Sequence, residues 1–356
     1  MVLAVSIIAA ILGSLMDATA CTGISLKAKD GSYVIGRTME WGTFKLPSRL
    51  IIVPRGHTQR AVTPEGKNGM ELKAVYGYAG IAVLDDNFMA EGMNEKGVVV
   101  ELFYFPGYGE HMAYNPANHD RTVTDAQFLD WVLCNFASID EMERCLHSID
   151  FVTFGHGFES AHYRIADATG RDVVVEYYDN HWHVWENTVG VITNAPSFDW
   201  HVTNLNNYVN VFQGGVAPRQ VNDKLHLKAF GVGAAAHGLP GDLTPPSRFV
   251  RAAFYVNSAK KMEDGWGTVK EVFQILNNFD LPIGAEFKQD EMPDILSATQ
   301  WTTATDIRAR KFYYRTEWNY TIRCIDFNEI NFAKVKFQTL PLDKVEDYPV
   351  ENIRIR

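Results

Sequence analysis

The opening of this chain constrains it more than any other segment. Val2 to Leu15 is almost wholly apolar, broken only by Ser6, Gly13 and Ser14, and Ala18-Thr19-Ala20 then supplies the small-x-small pattern that signal peptidase accepts. The run is too short for a membrane span. No Lys or Arg precedes it. We read residues 1–20 as a cleaved signal peptide and 21–356 as a single mature domain. Cleavage after Ala20 makes Cys21 the first residue, with both a thiol and a free α-amine. A nucleophile and a base on one residue are a compact way to build an amide hydrolase. Two rival readings exist. The segment can be a buried N-terminal helix or strand. It can also be a lipoprotein leader, which would acylate Cys21 and leave a lipid-anchored binding protein, but that signal wants a Leu-like residue where Ala18 stands.

The remaining chain suits one large α/β or sandwich-type unit. Hydrophobic content of 46% and aromatic content of 12% are ample for a large core. A formal charge of −10 argues against nucleic acid and against an anionic membrane surface. Beyond Cys21 stand Cys134, Cys145 and Cys324, with no C-x-x-C pair to suggest zinc. A Cys134–Cys145 bridge is one option in an exported protein; buried helix cysteines are the expected one.

The chain opens with strands. Thr22–Ala28 and Ser32–Thr38 flank Asp30-Gly31, a strong hairpin signal. An apolar run, Val98–Phe105, follows Asn94-Glu95-Lys96-Gly97. Thr124–Phe136 and Ile139–Ile149 have helical periodicity, with Thr124 and Ser138 where N-caps would stand. A meander of short strands runs through His162–Asp167, Asp172–Tyr178, His181–Glu186 and Val189–Thr193. Phe198–Phe212 reads as a helix, and Pro218–Pro246 as a long Gly/Pro-rich connection suited to function or assembly. Helices Ser247–Lys261 and Thr268–Phe279 precede three closing strands near Ala298–Asp306, Lys311–Arg315 and Thr321–Phe327. Strands at both ends with helix pairs between them predict antiparallel sheets covered by helices, an α+β architecture.

The first hairpin can be read in register. With Asp30 and Gly31 as a two-residue loop, Lys29 pairs with Ser32, Cys21 lies opposite Glu40, and Arg37 faces away. Opposed residues have Cβ atoms ~5 Å apart, so the Glu40 carboxylate could hold the α-ammonium or orient the thiol. Arg37 then reaches Cys21 only through a bulge or bend. A thiol titrates near ~8.5 and an α-amine near ~7.7–8.0, so the neutral amine can take the thiol proton at working pH. A nearby Arg would favour the thiolate. The tetrahedral oxyanion then needs donors such as an Asn amide or backbone N–H groups.

Several segments together resemble one family. They are Cys21-Thr22-Gly23-Ile24-Ser25-Leu26, Gly36-Arg37-Thr38-Met39-Glu40-Trp41, Gly92-Met93-Asn94-Glu95-Lys96-Gly97, Thr193-Asn194-Ala195-Pro196-Ser197-Phe198-Asp199-Trp200 and Ser247-Arg248-Phe249-Val250-Arg251-Ala252. In that order they resemble the choloylglycine hydrolases and penicillin V acylases, N-terminal-nucleophile hydrolases of linear amide bonds. The resemblance implies a four-layer αββα fold with two stacked antiparallel sheets. It casts Cys21 as nucleophile and its α-amine as base, sets Arg37 beside the thiol and Glu40 near the amine, makes Asn194 an oxyanion donor and lets Arg248 complete the polar cluster. A backbone N–H near Tyr104 would be the second oxyanion donor. Bile-salt hydrolases often place Asn at that position, and Tyr looks more like the penicillin acylase side. Where the family usually has Asp, this chain has Glu40, one methylene longer. The resemblance implies no cofactor or metal, a small-molecule amide substrate with a bulky apolar acyl group, and a homotetramer. The leader groups the protein with exported Gram-negative relatives, so the expected location is the periplasm. Conjugated bile salts rank first as substrates, penicillin V second and N-acyl homoserine lactones third.

Taken alone, these residues have ordinary readings. Asn194 before Ala-Pro is a good turn residue. Arg248 in the first turn of a helix is by default a surface ion pair. Glu40 reads as a solvated strand end. His181 and His183 share a strand face without a third ligand, and Trp182 and Trp185 flank them, so they read as exposed strand histidines. Phe44, Leu46, Met70, Phe88, Tyr104 and Phe105 could wall an acyl pocket or simply fill the core.

Overall fold

A computed structural model describes residues 20–153, 160–287 and 291–355. The expected leader, up to Thr19, lies outside the described residues. The opening hairpin is β1 (Cys21–Lys27) and β2 (Tyr33–Glu40). Then come β3 (Ser48–Val53), β4 (Tyr78–Val83), β5 (Met89–Asn94) and β6 (Val99–Tyr104), followed by helices α1 (Phe128–Asn135) and α2 (Ile139–Cys145). The meander is β7 (Ala161–Ala166), β8 (Asp172–Tyr178) and β9 (His181–Glu186), and β10 (Val191–Ile192) leads into α3 (Phe198–Asn204). Helices α4 (Pro245–Ser258) and α5 (Gly265–Leu276) precede β11 (Thr299–Asp306), β12 (Lys311–Thr316), β13 (Asn319–Asp326) and β14 (Gln338–Pro341).

These strands form two antiparallel sheets. One has the order β10-β1-β2-β11-β12-β13 and the other β9-β8-β7-β6-β5-β4-β3-β14. Helices α4 and α5 cover the first sheet and α1 covers the second, giving the four αββα layers. One core fills the space between the sheets and under α4 and α5; a second lies between the larger sheet and α1 and α2. Close packing is enforced at Gly36. A Cβ there would meet the Thr303 carbonyl oxygen at 2.4 Å and Val272 of α5 at 2.7 Å. Among the described residues no helix is long and apolar enough to cross a membrane.

The hairpin corrects the predicted register. Its loop holds three residues, Lys29-Asp30-Gly31, because the Ala28 N–H donates to the Ser32 carbonyl at 2.9 Å. Gly31 adopts φ +87°, the left-handed position that a three-residue hairpin loop reserves for glycine. Cys21 therefore pairs with Met39, Thr22 with Thr38 and Gly23 with Arg37. A one-residue shift exchanges the two faces of a strand. Arg37 now shares the inward face with Cys21 without any bulge between β1 and β2, and Glu40 moves to the helix-covered face.

The helices mostly follow expectation with shorter bounds. Ser138 caps α2 by accepting from the Glu141 N–H at 3.3 Å. Thr124 makes no side-chain cap; residues 125–127 form a 3-10 turn and the α-helix starts at Phe128. Cys134 and Cys145 are both free thiols, as buried or half-buried helix cysteines rather than a bridge. The long connection after α3 carries an exposed two-stranded hairpin, Arg219–Asn222 with Leu225–Leu227.

Candidate active site

Two sides of the first sheet meet at Cys21. Its side chain enters the space between the sheets and is almost fully buried. Arg37 lies two residues before Met39, the strand partner of Cys21, so both residues project to the same face. Arg37 Nη2 lies 2.8 Å from Cys21 Sγ. The rest of the guanidinium is clamped. Nη1 donates to the Leu102 carbonyl and, at 3.4 Å, to that of Ala90; Nε donates to the Thr38 carbonyl at 3.3 Å. Its carbon stands 4.3 Å from the centroid of the Phe103 ring. Arg37 thus reaches from one sheet to the backbone of the other while aiming one nitrogen at the sulfur. Burial pushes the Cys21 thiol up; Arg37 is the largest opposing influence, and the Glu40 backbone N–H and Arg248 also favour the thiolate.

On the other side the backbone of Cys21 is held by Asn194 and Arg248. The Cys21 nitrogen donates to Asn194 Oδ1 at 2.8 Å. Arg248 Nη2 donates to the same oxygen at 2.8 Å, while its Nη1 reaches the Cys21 carbonyl at 2.5 Å and Thr22 Oγ1 at 2.9 Å. Asn194 Nδ2 donates to the Tyr104 carbonyl at 2.9 Å. Arg248 occupies the first turn of α4 but is fully buried, so the ordinary expectation of a surface ion pair fails. Its own desolvation lowers its pKa. A short segment after β10 and the start of α4 therefore deliver two polar groups to the first residue of β1.

Glu40 stands differently from its predicted place opposite Cys21. It is fully buried on the face that β2 shares with Thr22 and Thr38, where Oε1 accepts from Thr299 Oγ1 at 3.0 Å and Oε2 has no partner among the described residues. It is not a solvated strand end. Its backbone N–H donates to the Ala20 carbonyl at 3.0 Å. Burial pushes its carboxyl up to about 8, against the pull of Arg248. The sign follows from linkage: an acid raised in the folded state gives stability that is fully present below its ordinary value of 4.5 and lost as pH rises toward about 8. In the chain that retains Ala20, Glu40→Gln is expected to flatten the fall of melting temperature between pH 5 and 8. An unchanged slope, measured by calorimetry, would show that Glu40 does not titrate in that window.

The sequence reading missed a file of buried charges beside Arg37. Glu91 on β5 pairs directly with Glu101 on β6, and Glu101 pairs with Arg164 on β7. Arg164 Nη1 lies 3.7 Å from Glu101 Oε2, and Nη2 lies 2.6 Å from Asp172 Oδ2. Tyr33 Oη donates to Asp172 at 2.6 Å, and Thr303 Oγ1 to Glu91 at 2.8 Å. Burial and the facing carboxylate push Glu91 well above its ordinary value, and burial pushes Glu101 up to about 7. The available signal was a single charge inside an apolar run, Glu101 within Val98–Phe105.

Of the residues that could wall a pocket, Phe44 and Leu46 pack into the core that contains Cys21. Met70 does not; it packs against the outer core under α1. Phe105 is buried against the His162 ring. His183 is stacked on Tyr178 at 3.8 Å between ring centroids, with Trp185 on its other neighbouring position.

Comparison with known proteins gives the family and the fold. The family model for linear amide C–N hydrolases of the choloylglycine hydrolase family matches residues 21–343. A bile salt hydrolase/transferase from Clostridium perfringens is 33% identical over 91% of this chain and 97% of its own length. A penicillin V acylase from Pectobacterium atrosepticum is 26% identical over 93% of this chain and 87% of its own. Among solved structures, a mutant conjugated bile acid hydrolase from Clostridium perfringens superposes with a TM-score of 0.82 at 31% identity, over 94% of this chain and 100% of that one.

Proposed function

The chain belongs to the choloylglycine hydrolase family of linear amide C–N hydrolases, and we propose that it cleaves conjugated bile salts with Cys21 as an N-terminal nucleophile. The observation that carries this reading is the contact of Arg37 Nη2 with Cys21 Sγ at 2.8 Å while the Cys21 nitrogen sits on Asn194 Oδ1 at 2.8 Å. Removal of residues 1–20 turns that nitrogen from an amide into an amine. The neutral amine takes the thiol proton, and the thiolate forms beside Arg37. Sulfur attacks the amide carbonyl, and the oxyanion receives the Asn194 amide and the Tyr104 backbone N–H. The amine group leaves with the proton, and water hydrolyses the thioester to release the acid. Arg248 holds the Cys21 carbonyl and Asn194 Oδ1 in place through this sequence. Loss of Ala20 also frees the Glu40 N–H that its carbonyl occupies, and places a positive amine where the buried Glu40 carboxylate can balance it.

The apolar residues Phe44 and Leu46 next to the Cys21 core suit a bulky acyl group. Tyr104 favours a second reading, penicillin V hydrolysis, because its ring stands where bile-salt hydrolases often place Asn. A substrate panel decides between them. The protein that begins at Cys21 is expected to hydrolyse glycine- or taurine-conjugated cholate with a kcat/KM at least about tenfold above that for penicillin V or an N-acyl homoserine lactone, a gap of the size pocket shape commonly gives. A larger value for penicillin V would replace the first reading by the second.

The expected leader is what supports a reading of export to the periplasm. A homotetramer is supported by the connection between α3 and α4. Phe212, Val221, Leu225, Leu227, Phe230 and Val232 are all exposed there, Phe230 completely. Light scattering is expected to give a tetramer for the wild type and smaller species for Phe230→Asp combined with Val232→Asp. A wild type that is monomeric at all concentrations would remove the assembly role.

A further inference from the structure

We propose that His201 and His162 are positioning residues for Asn194, holding the two backbone carbonyls that flank its side chain so that its amide keeps its place at Cys21. This rests on the reading of Asn194 as a participant in amide hydrolysis. Asn194 lies in the short stretch between β10 and α3, where neither a sheet ladder nor a helix supplies donors to the Thr193 and Asn194 carbonyls. A buried carbonyl without a donor is costly and free to rotate away. Each of these carbonyls meets an imidazole: His162 Nε2 is 3.0 Å from the Thr193 oxygen and His201 Nε2 is 2.9 Å from the Asn194 oxygen. Facing a carbonyl, each Nε2 must carry the proton.

Both rings are fixed in turn. His162 stacks on Phe105 at 4.4 Å between centroids, and His201 on Phe249 at 4.6 Å. His162 Nδ1 is 2.9 Å from Glu176 Oε1, and the same oxygen accepts the N–H of Phe198, the first residue of α3, at 3.0 Å. One carboxylate thus ties an imidazole and a helix start together on one side of Asn194. His201 ties the other side to α3 itself. Among the described residues its Nδ1 has no partner, and its polar contact is the one with Asn194. Burial holds this ring neutral down to about pH 4, which keeps one donor and no charge beside the site. The grip matters because Asn194 must meet Cys21 N, Arg248 and the Tyr104 carbonyl at once. A displacement of about 1 Å at such a group can lower turnover about 10²-fold.

The test compares His201→Phe, His201→Gln, His201→Asn and Asn194→Ala in the processed enzyme, with steady-state kinetics on conjugated cholate. Phe keeps the ring stack and removes the donor. Gln places an amide N–H where Nε2 stands, and Asn is too short to reach. His201→Phe is expected to lower kcat about 10²-fold with KM within about threefold, and His201→Gln to return to within about fivefold of wild type. Activity of His201→Phe within threefold of wild type, or equal loss in Phe and Gln variants, overturns the inference. Should the Phe variant fail to fold, the Gln variant must exceed the Asn variant at least tenfold in kcat, and equal values overturn it. Asn194→Ala separates the two levels. If it loses activity while the His201 variants keep theirs, only the positioning role fails. If it stays active, the reading of Asn194 fails with it.

Discussion

Cys21→Ser is expected to lower kcat/KM for the amide substrate by about 10⁴-fold or more, the scale on which removal of a nucleophile acts in hydrolases. The sulfur has no substitute among the groups around it. Within reach are the Arg37 guanidinium and the Met39 thioether at 3.9 Å, neither of which can attack a carbonyl. A serine hydroxyl holds its proton far more tightly than a thiol, so a site arranged to form a thiolate beside Arg37 activates it far less at neutral pH. Melting temperature should move by only a few degrees, because the replaced atom is small and its neighbours stay paired. The check is a progress curve on processed protein, with processing verified separately. Residual activity above about one per cent would place the nucleophile elsewhere.

Arg37→Leu carries the second large effect, and it combines catalysis with stability. Catalytically, the thiol loses its strongest favourable charge and its pKa rises further. The expected loss in kcat/KM is about 10²- to 10³-fold, partly recovered at alkaline pH where more thiolate forms. Structurally, the inner carboxyls Glu91 and Glu101 lose a cation that lowers both of their pKa values. They rise further, and stability that is present below their ordinary value of 4.5 is lost as pH increases. The variant should therefore be close to wild type in stability near pH 5 and roughly 3–5 kcal/mol weaker near pH 8, the cost of stripping one partner from a buried charge group. Arg37→Lys should restore much of this stability but less of the rate, since an ammonium cannot span the sulfur and three carbonyls. Denaturant melts at the two pH values read the difference, and a cost independent of pH would detach Arg37 from the carboxyl file.

Antiparallel sheets covered by helices were legible in the order of strands and helix pairs, and the four stacked layers were implied only by the family resemblance. The contacts at Cys21 were legible only through the resemblance. The hairpin shows why. Asp30-Gly31 marks a turn, but a two-residue and a three-residue loop share that signal, and the difference of one residue decides which face Arg37 and Glu40 occupy. The structure settles the loop through Gly31, whose positive φ closes three residues. Arg248 looked like a surface residue because helical position says nothing about what the first turn packs against. The pairing of Glu91, Glu101 and Arg164 depends on β7 lying beside the β5–β6 hairpin although it comes much later in the chain. Only the oddity of Glu101 in an apolar run hinted at it. The imidazoles beside Asn194 were equally hidden, since His162 and His201 come from a strand and a helix on opposite sides of the residue they hold.

The most direct measurement is peptide mass spectrometry on the exported protein, acid-quenched during turnover of conjugated cholate. The predicted result is an N-terminal peptide that begins at Cys21, with a free α-amine and the cholyl group added to its sulfur as a thioester. An active protein in which Cys21 is internal to a longer peptide, or one whose Cys21 stays unmodified through turnover when deacylation is slowed, would contradict the N-terminal nucleophile.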